Sequence, residues 1–343
     1  MSSNSITNYF KPRPKNGNER KARGSHPYTH SPSPPKPETV PVQQSPAPPQ
    51  ERRKDARTKR KEIADDTLAA IEAGCYSLDG QTYPLSDAVQ NSERETRYYS
   101  PDSALASWES APAPQIPGTR TAVTLAEIST LEGARLLISQ SDGRVGVLNF
   151  ASATKPGGGF LSGASAQEES IARSSTLYPT LKTPDAEKFY RLHKKRDTHG
   201  FYTHAMIYSP SILVFRTDDG QWLPPYEVDI LTSPAVNAGV VREKSTERSE
   251  DEIEGDIGLV MRDRMARLLF LFEQMGVKNI VLGSFGTGVF KNDVKVVAGI
   301  WVDLLFEEDA RFSQSFDRVV FAILGNATFE DFRLVFSARG VSL

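Results

Sequence analysis

The sequence predicts an α/β fold: a mixed, mostly parallel sheet with helices on both faces, behind an N-terminal helical extension and a disordered tail. Three observations carry this. Short β-branched runs (GRVGVLNF, VKNIVLG, FDRVVFAIL) alternate with longer stretches of helical period, the pattern of parallel strands joined by crossover helices. Two glycine-rich segments, PGGGF and GTG, each follow such a run, and ligands in sheets of this kind sit beyond the carboxyl ends of the strands. Composition also breaks near residue 50: eleven of the 23 prolines fall in residues 1–50, among Ser, Lys, Arg, Asn and Gln. Such a segment buries too little apolar surface to offset its ordering entropy.

The chain therefore divides into a tail, 1–50, and one domain, 51–343, of which 51–120 is an N-terminal extension. The tail holds seven Lys/Arg against two Glu, so with a total of −2 the domain carries about −7. An acidic domain is not expected to take duplex nucleic acid as its substrate. There is no run of 18 apolar residues and no signal-peptide core, so no membrane partner is expected. The single cysteine, Cys75, permits no intrachain disulfide and reads as a small apolar packer in a reducing compartment.

Taken in order, the elements start with a helix from Glu51, very basic at first, presenting Ile63, Leu68 and Ile71 on one face and stopping at Gly74. Residues 76–118, with NSERETRYYS and APAPQIPG, read as an extended wrap with little regular structure. TAVTLAEIS is a strand running into the helix LAEISTLEGARLLIS, and GRVGVLNF is a central strand ending near Asn149. QEESIARSSTLYPTL opens a helix with Glu168 and Glu169 in its first turn. AMIYSPSILVFRTDDG reads as a strand pair around a Ser-Pro turn, WLPPY (222–226) as a rigid proline turn, and VDILTSPAVNAGV as a strand into a loop. Gly255 to Met275 is a long amphipathic helix, VKNIVLG a strand, SFGTGVFKND its loop and DVKVVAGIWVDLLFE a helix. FDRVVFAIL and NATFEDFRLVF supply the last strand and helix.

The chemistry concentrates at NFASATKPGGGFLSGASAQEE. A chain leaving a strand through Gly157, Gly158 and Gly159 can adopt backbone angles closed to other residues and bring several bare N–H groups against one anion. Gln167, Glu168 and Glu169 then place an amide and two carboxylates just beyond. No Gly-Lys-Ser follows the glycines, so phosphoryl transfer is not indicated. A phosphate cradle beside carboxylates points to chemistry on a nucleotide-sugar. Read without the GGG spacing, Glu168 and Glu169 are simply first-turn acids complementing a helix dipole; the spacing turns the reading toward chemistry.

GGG, seven residues and QEE resembles the signature of the microbial-type poly(ADP-ribose) glycohydrolases, a macrodomain-fold family. NFASATKPGGGFLSGASAQEESIARSSTLYPTL, LGSFGTGVFKND and the opening RKEIADDTLAAIEAGCY are all similar to that family, so the resemblance spans roughly residues 52–340. It implies a macrodomain-like fold and hydrolysis of the ribose–ribose bonds of poly(ADP-ribose) to ADP-ribose, with no metal and no redox cofactor. It further implies Glu169 as acid/base, Glu168 holding ribose hydroxyls, and Gln167 fixing substrate and loop. Gly286, Thr287 and Gly288 become a second diphosphate segment, with Val289 and Phe290 against the sugar at the scissile bond. The bland alternative for that segment is a strand-to-helix turn with Phe290 in the core. The family usually has Trp and Cys where Phe285 and Thr287 stand, and Pro at Val294. Two rival functions share these loops: a reader that binds ADP-ribose without cleaving it, and a hydrolase of mono-ADP-ribosyl groups on protein.

The remaining candidates are less specific. Asn149 and Ser152 flank the loop entry and suit either a ribose hydroxyl or strand-end capping; Ser233, Pro234 and Asn237 resemble a family segment near the nucleotide. His193, His199 and His204 lack a metal-ligand pattern and read as surface or core histidines. In the tail, Ile6, Tyr9 and Phe10 stand as in a sliding-clamp interaction box, with Ser3 in place of its leading Gln; chance produces such matches too. The basic run 52–61, with Lys21 and Arg23, serves either nuclear import or the solvated first turns of the opening helix. The expected location is the nucleus, with the cytoplasm as a second compartment.

Overall fold

The computed structural model describes residues 50–114, 121–195 and 198–343, with side chains from residue 55 onward. The expected disorder of the tail, the clamp motif at Ile6, Tyr9 and Phe10, and Lys21 and Arg23 lie outside the described residues.

Helix α1 (Gln50–Ala73) ends where expected, at Gly74 with φ +73°. Beyond Gly74 the chain is regular, which corrects the expectation of an extended wrap. Strands β1 (Cys75–Leu78) and β2 (Gln81–Pro84) pair antiparallel about Asp79 and Gly80, at φ +50° and +79°, the backbone of a primed hairpin turn. Helix α2 (Ser86–Glu95) and strand β3 (Arg97–Tyr99) come next. The polar run looked loop-like because α2 buries only one narrow face, where the Ser92 hydroxyl donates to Ser211 O at 2.8 Å. Cys75 is half-buried in β1 as a free thiol.

The core is a sheet of seven strands. Its remaining members are β4 (Ala122–Ala126), β5 (Val145–Phe150), β6 (Met206–Arg216), β7 (Trp222–Ser233), β8 (Asn279–Leu282) and β9 (Arg318–Ala322), in the order β3-β6-β7-β5-β8-β9-β4. From β7 through to β4 every pairing is parallel; β6 joins β7, and β3 joins β6, antiparallel. The mixed, mostly parallel sheet is as the sequence predicted.

Alternation along the strands sorts side chains between two layers. Leu148, Leu231, Ile280, Leu282, Val319 and Phe321 pack with helices α8 (Glu250–Gln274), α9 (Val294–Leu305) and α10 (Asn326–Ala338). Val145, Val147, Ile230, Val281 and Val320 face α3 (Thr130–Gln140), α4 (Gln167–Ser174), α5 (Leu177–Thr180) and α6 (Pro184–Lys195). Helices thus cover both faces. A third cluster ties α1 and the hairpin to the sheet: the Tyr76 ring stacks on Trp222 at 4.9 Å and on Phe215 at 5.3 Å.

Several element boundaries differ from expectation. The segment 206–216 is one strand, not two around a Ser-Pro turn. A register shift between Ser209 and Ile212, with Ser211 at φ +53°, absorbs Pro210 and moves Ile212 and Val214 onto the face Ile207 occupies. WLPPY is no turn but the start of β7, its prolines placed before the pairing with β5 begins at Asp229. The helix opened by QEE breaks at Ser175, which bridges to Val214, before α5. Helix α8 starts at Glu250, ahead of Gly255, because Ser249 and Glu252 form a reciprocal cap. After β7, Asn237 caps the short α7 (Ala238–Lys244) by accepting from Val240 N. Helix α6 was missed, although Thr183 caps it ahead of Pro184, with acids first and bases last.

Candidate active site

A cavity of about 690 Å³ opens beyond the carboxyl ends of β5, β7, β8 and β9. The two glycine loops meet there: Gly158 and Gly159 line one side, Gly286, Gly288, Val289 and Phe290 another, with Ser152, Gln167, Glu168 and Glu169 between them. Asn149, Gly157 and Thr287 do not line the cavity, nor do Ser233, Pro234 and Asn237. Asn149 is fully buried behind the site, its amide donating to Thr232 Oγ1 at 3.1 Å and helping to hold the Glu168 carboxyl down. Gly157, at φ +65°, packs over Phe160 and Tyr178, and Thr287 turns its hydroxyl to Ser284 O at 3.0 Å.

Gln167 pins α4 to the end of β5. Its side-chain carbonyl accepts from Phe150 N at 2.8 Å, and its amide donates to Leu148 O at 2.7 Å and to Thr130 Oγ1 at 3.2 Å. This extends the strand's ladder through a side chain, so Gln167 holds the loop by its ends. The next two residues then enter the cavity from the first turn of α4. Glu168 Oε2 accepts from Ser152 N at 2.7 Å, and Glu169 Oε1 accepts from Gly159 N at 2.8 Å.

Both carboxylates are more than nine-tenths buried, and each keeps one oxygen unpartnered: Glu168 Oε1 and Glu169 Oε2. Buried acceptors are ordinarily satisfied by protein, water or a ligand, and these two oxygens face the cavity that could supply one. Burial pushes the Glu168 carboxyl up to about 8; the Ser152 amide opposes this, and the neighbouring Glu169 charge adds to it. Desolvation here outweighs the helix N-terminus, which would have lowered it. Two acids side by side, one of them held neutral near pH 7, make a proton available beside a phosphate cradle.

The second loop is shaped by its own contacts. Gly286 has φ +76°, and a Cβ there would stand 2.3 Å from the Ala235 Cβ; one on Gly288 would meet nothing within 4 Å. Val289 is 79 % exposed at the rim, so it is available to a ligand and adds nothing to the core. Phe290 is half-buried and lies 5.9 Å, ring to ring, from Tyr202.

Some site residues were not read from the sequence. Tyr202 lines the cavity at φ +54°; its amide donates to Thr198 Oγ1, while the fully buried Arg264 holds Phe201 O at 2.8 Å and Pro234 O at 3.0 Å. The position of Tyr202 rests on the nearby Thr198 hydroxyl and on an arginine 62 residues away. Arg173 did leave a signal, one helical turn after Glu169; it is buried and donates to Ala164 O at 2.5 Å. Ser233, by contrast, was a candidate from the sequence; it is buried at the end of β7 with its hydroxyl unpartnered and does not line the cavity.

None of the described histidines lines the cavity. His193 donates from Nδ1 to Phe189 O and accepts at Nε2 from Thr203 N, and its burial lowers it to about 4; His204 pairs with Asp263 at 3.3 Å. His199 is exposed. Among the described residues no group of three or more His, Cys, Asp or Glu is arranged to hold a metal ion. Among them, too, no helix is long and apolar enough to cross a membrane.

The geometry can be set beside known proteins. Residues 64–217 match the family model described as microbial-type PARG, catalytic domain. The poly(ADP-ribose) glycohydrolase of Thermomonospora curvata is 39% identical, covering 82% of this chain and 99% of its own, with a TM-score of 0.74. The same enzyme bound to the inhibitor ADP-HPD gives 38%, 81%, 99% and 0.71. The Deinococcus radiodurans poly(ADP-ribose) glycohydrolase in complex with ADP-ribose gives 32%, 77%, 99% and 0.65. No curated protein sequence matches the chain. With identity at this level over nearly the whole of these enzymes, and the GGG loop closed on QEE as described, the chain belongs to the microbial-type poly(ADP-ribose) glycohydrolase family.

Proposed function

We infer that this protein hydrolyses the ribose–ribose glycosidic bonds of poly(ADP-ribose) and releases ADP-ribose. The observation that carries the reading is the pair of unpartnered, buried carboxylate oxygens, Glu168 Oε1 and Glu169 Oε2, on the floor of a cavity walled by two glycine loops. Glu169 delivers a proton to the leaving ribose oxygen as the bond to the anomeric carbon breaks, and positive charge spreads over that carbon and the ring oxygen. The resulting carboxylate takes a proton from the water that attacks the same carbon, which restores the acid and yields ADP-ribose and a shortened polymer. Glu168, held neutral by burial, presents a hydroxyl and an acceptor oxygen to ribose hydroxyls without repelling the diphosphate. The amides of the two loops and the Phe290 face order the phosphates and the sugar.

Incubation with labelled polymer and, separately, with mono-ADP-ribosylated protein tests this. Release of ADP-ribose from polymer supports the reading. Binding without release supports a reader, and release from modified protein alone supports a mono-ADP-ribosyl hydrolase.

On the tail's sequence alone we also propose a nuclear address and attachment to a sliding clamp through Ile6, Tyr9 and Phe10, which would place the activity at DNA repair. A peptide of residues 1–16 should bind the clamp at roughly micromolar affinity and lose well over tenfold when Tyr9 and Phe10 become Ala. No binding at high micromolar peptide would reduce the match to chance.

A further inference from the structure

The basic run 52–61 lies in the first turns of α1, where residues 55–59 and 61 are exposed as a solvated helix start requires, and two of its arginines do more than face solvent. Along one face of α1, at helical spacing, stand Arg57, Arg60, Ala64 and Thr67. Arg57 Nε donates to Ser162 O at 2.7 Å, and Arg60 Nε donates to Gly163 O at 2.8 Å. Further along, the buried Thr67 hydroxyl donates to Arg173 O at 2.6 Å. Between these points Ala64 packs with Phe160 and Ala172, each fully buried. The approach is close: a Cβ on Gly163, at φ +75°, would stand 2.2 Å from Arg57 O.

The clasped turn connects directly to the carboxylate. Ser162 N and Ala164 N both donate to Gly159 O, at 3.0 and 3.2 Å, and Gly159 N donates to Glu169 Oε1 at 2.8 Å. A displacement at Ser162 or Gly163 is therefore passed to Gly159 and to the oxygen it holds. We propose that Arg57 and Arg60 are positioning residues that clamp the turn after the glycine loop, and so set the attitude of Glu169. Both precede residue 64, where the match to the family model begins, and Arg60 opens the family-like segment RKEIADDTLAAIEAGCY. The proposal rests on Glu169 being the acid/base.

The test compares the full chain with the double variant Arg57→Met, Arg60→Met, which keeps apolar stems and removes both donors. On polymer, kcat should fall about tenfold or more, the range for a small misplacement of a reacting group, while ADP-ribose affinity falls far less. Arg60→Lys, which restores one donor, should recover part of the loss. Lys59→Met with Lys61→Met, exposed on the same helix, should keep the full rate, excluding a charge effect. An unchanged kcat in the folded double variant, or an equal loss in the lysine variant, overturns the clamp. If the double variant fails to fold, Arg57→Met alone decides by the same measure, since Arg57 is exposed. If the wild type does not cleave polymer, the functional reading fails by itself. Hydrogen exchange at the Gly159 amide then decides: faster exchange in the variants supports the clamp, and unchanged exchange overturns it.

Discussion

The amide of Gly159 donates to Glu169 Oε1 at 2.8 Å, which makes the last glycine of the loop and the last carboxylate of QEE parts of one hydrogen-bonded unit. The seven residues between GGG and QEE are the length of chain that lets the loop fold back onto its own helix. Gly157 and Gly158 sit at φ +65° and +59°, where L side chains are strained, whereas Gly159 at −107° is not so constrained. The loop is shaped around the carboxylates before any phosphate arrives.

Gly158 is the most sensitive position in it. An added Cβ would lie 2.4 Å from Glu169 Oε1 and 3.0 Å from Glu168 Oε2. Gly158→Ala should therefore displace an acid as well as narrow the phosphate cradle. Polymer hydrolysis should fall by about 10² in a protein that still folds by circular dichroism, and calorimetry should show weaker ADP-ribose binding. A folded variant with wild-type rate and affinity would reduce the loop to a simple turn.

Glu169→Gln keeps an acceptor for the Gly159 amide and removes the titrating proton. Hydrolysis should drop by about 10² or more while ADP-ribose binding largely survives. Rates within a few-fold of wild type on polymer would transfer the acid/base role away from this residue.

Much of this arrangement could be read from local sequence, because it is local. GGG and QEE are only seven residues apart in the chain, the strand GRVGVLNF announces itself by β-branching, and the hydrogen bonds between loop and helix span only 10 and 16 residues. Elements that depend on distant partners were not legible. Trp222 lies in a strand despite Pro224 and Pro225 because Tyr76 and Phe215 stack on it. Tyr202 reaches the cavity because Arg264 holds the neighbouring carbonyls. Helix α6 was a different failure: Thr183, Pro184 and the charge order around it were in plain view.

The Tyr202–Phe290 pair gives a prediction of its own. With ring centres 5.9 Å apart at one wall of the cavity, the two aromatics stiffen each other where a ribose would lie. Phe290→Ala removes the sugar's wall and the pair together, and KM for polymer should rise about tenfold, with a smaller change in kcat. Tyr202→Phe keeps the ring and should be near neutral. A Phe290→Ala enzyme with unaltered KM would place the ring in the core and out of substrate binding.

Glu168 predicts how stability and binding follow pH. Its carboxyl is raised from 4.5 to about 8 in the fold. Below 4.5 both folded and unfolded chains hold the proton, so the group costs nothing. Between 4.5 and about 8 the unfolded chain gives it up and the folded chain keeps it, so stability falls as pH rises, by about 1.4 kcal/mol per unit from this group. Glu168→Gln removes the titration and keeps an acceptor for the Ser152 amide. The variant should match the wild type in Tm near pH 4.5, exceed it increasingly toward 8, and gain no more beyond. ADP-ribose affinity should weaken in the wild type as pH passes about 8, where the new carboxylate faces the diphosphate, and stay flat in the variant. Thermal melts at a series of pH values and matched calorimetric titrations read both effects. A Tm difference that does not change with pH would mean that Glu168 is ionised in the folded protein, and its neutral role at the ribose would fail with it.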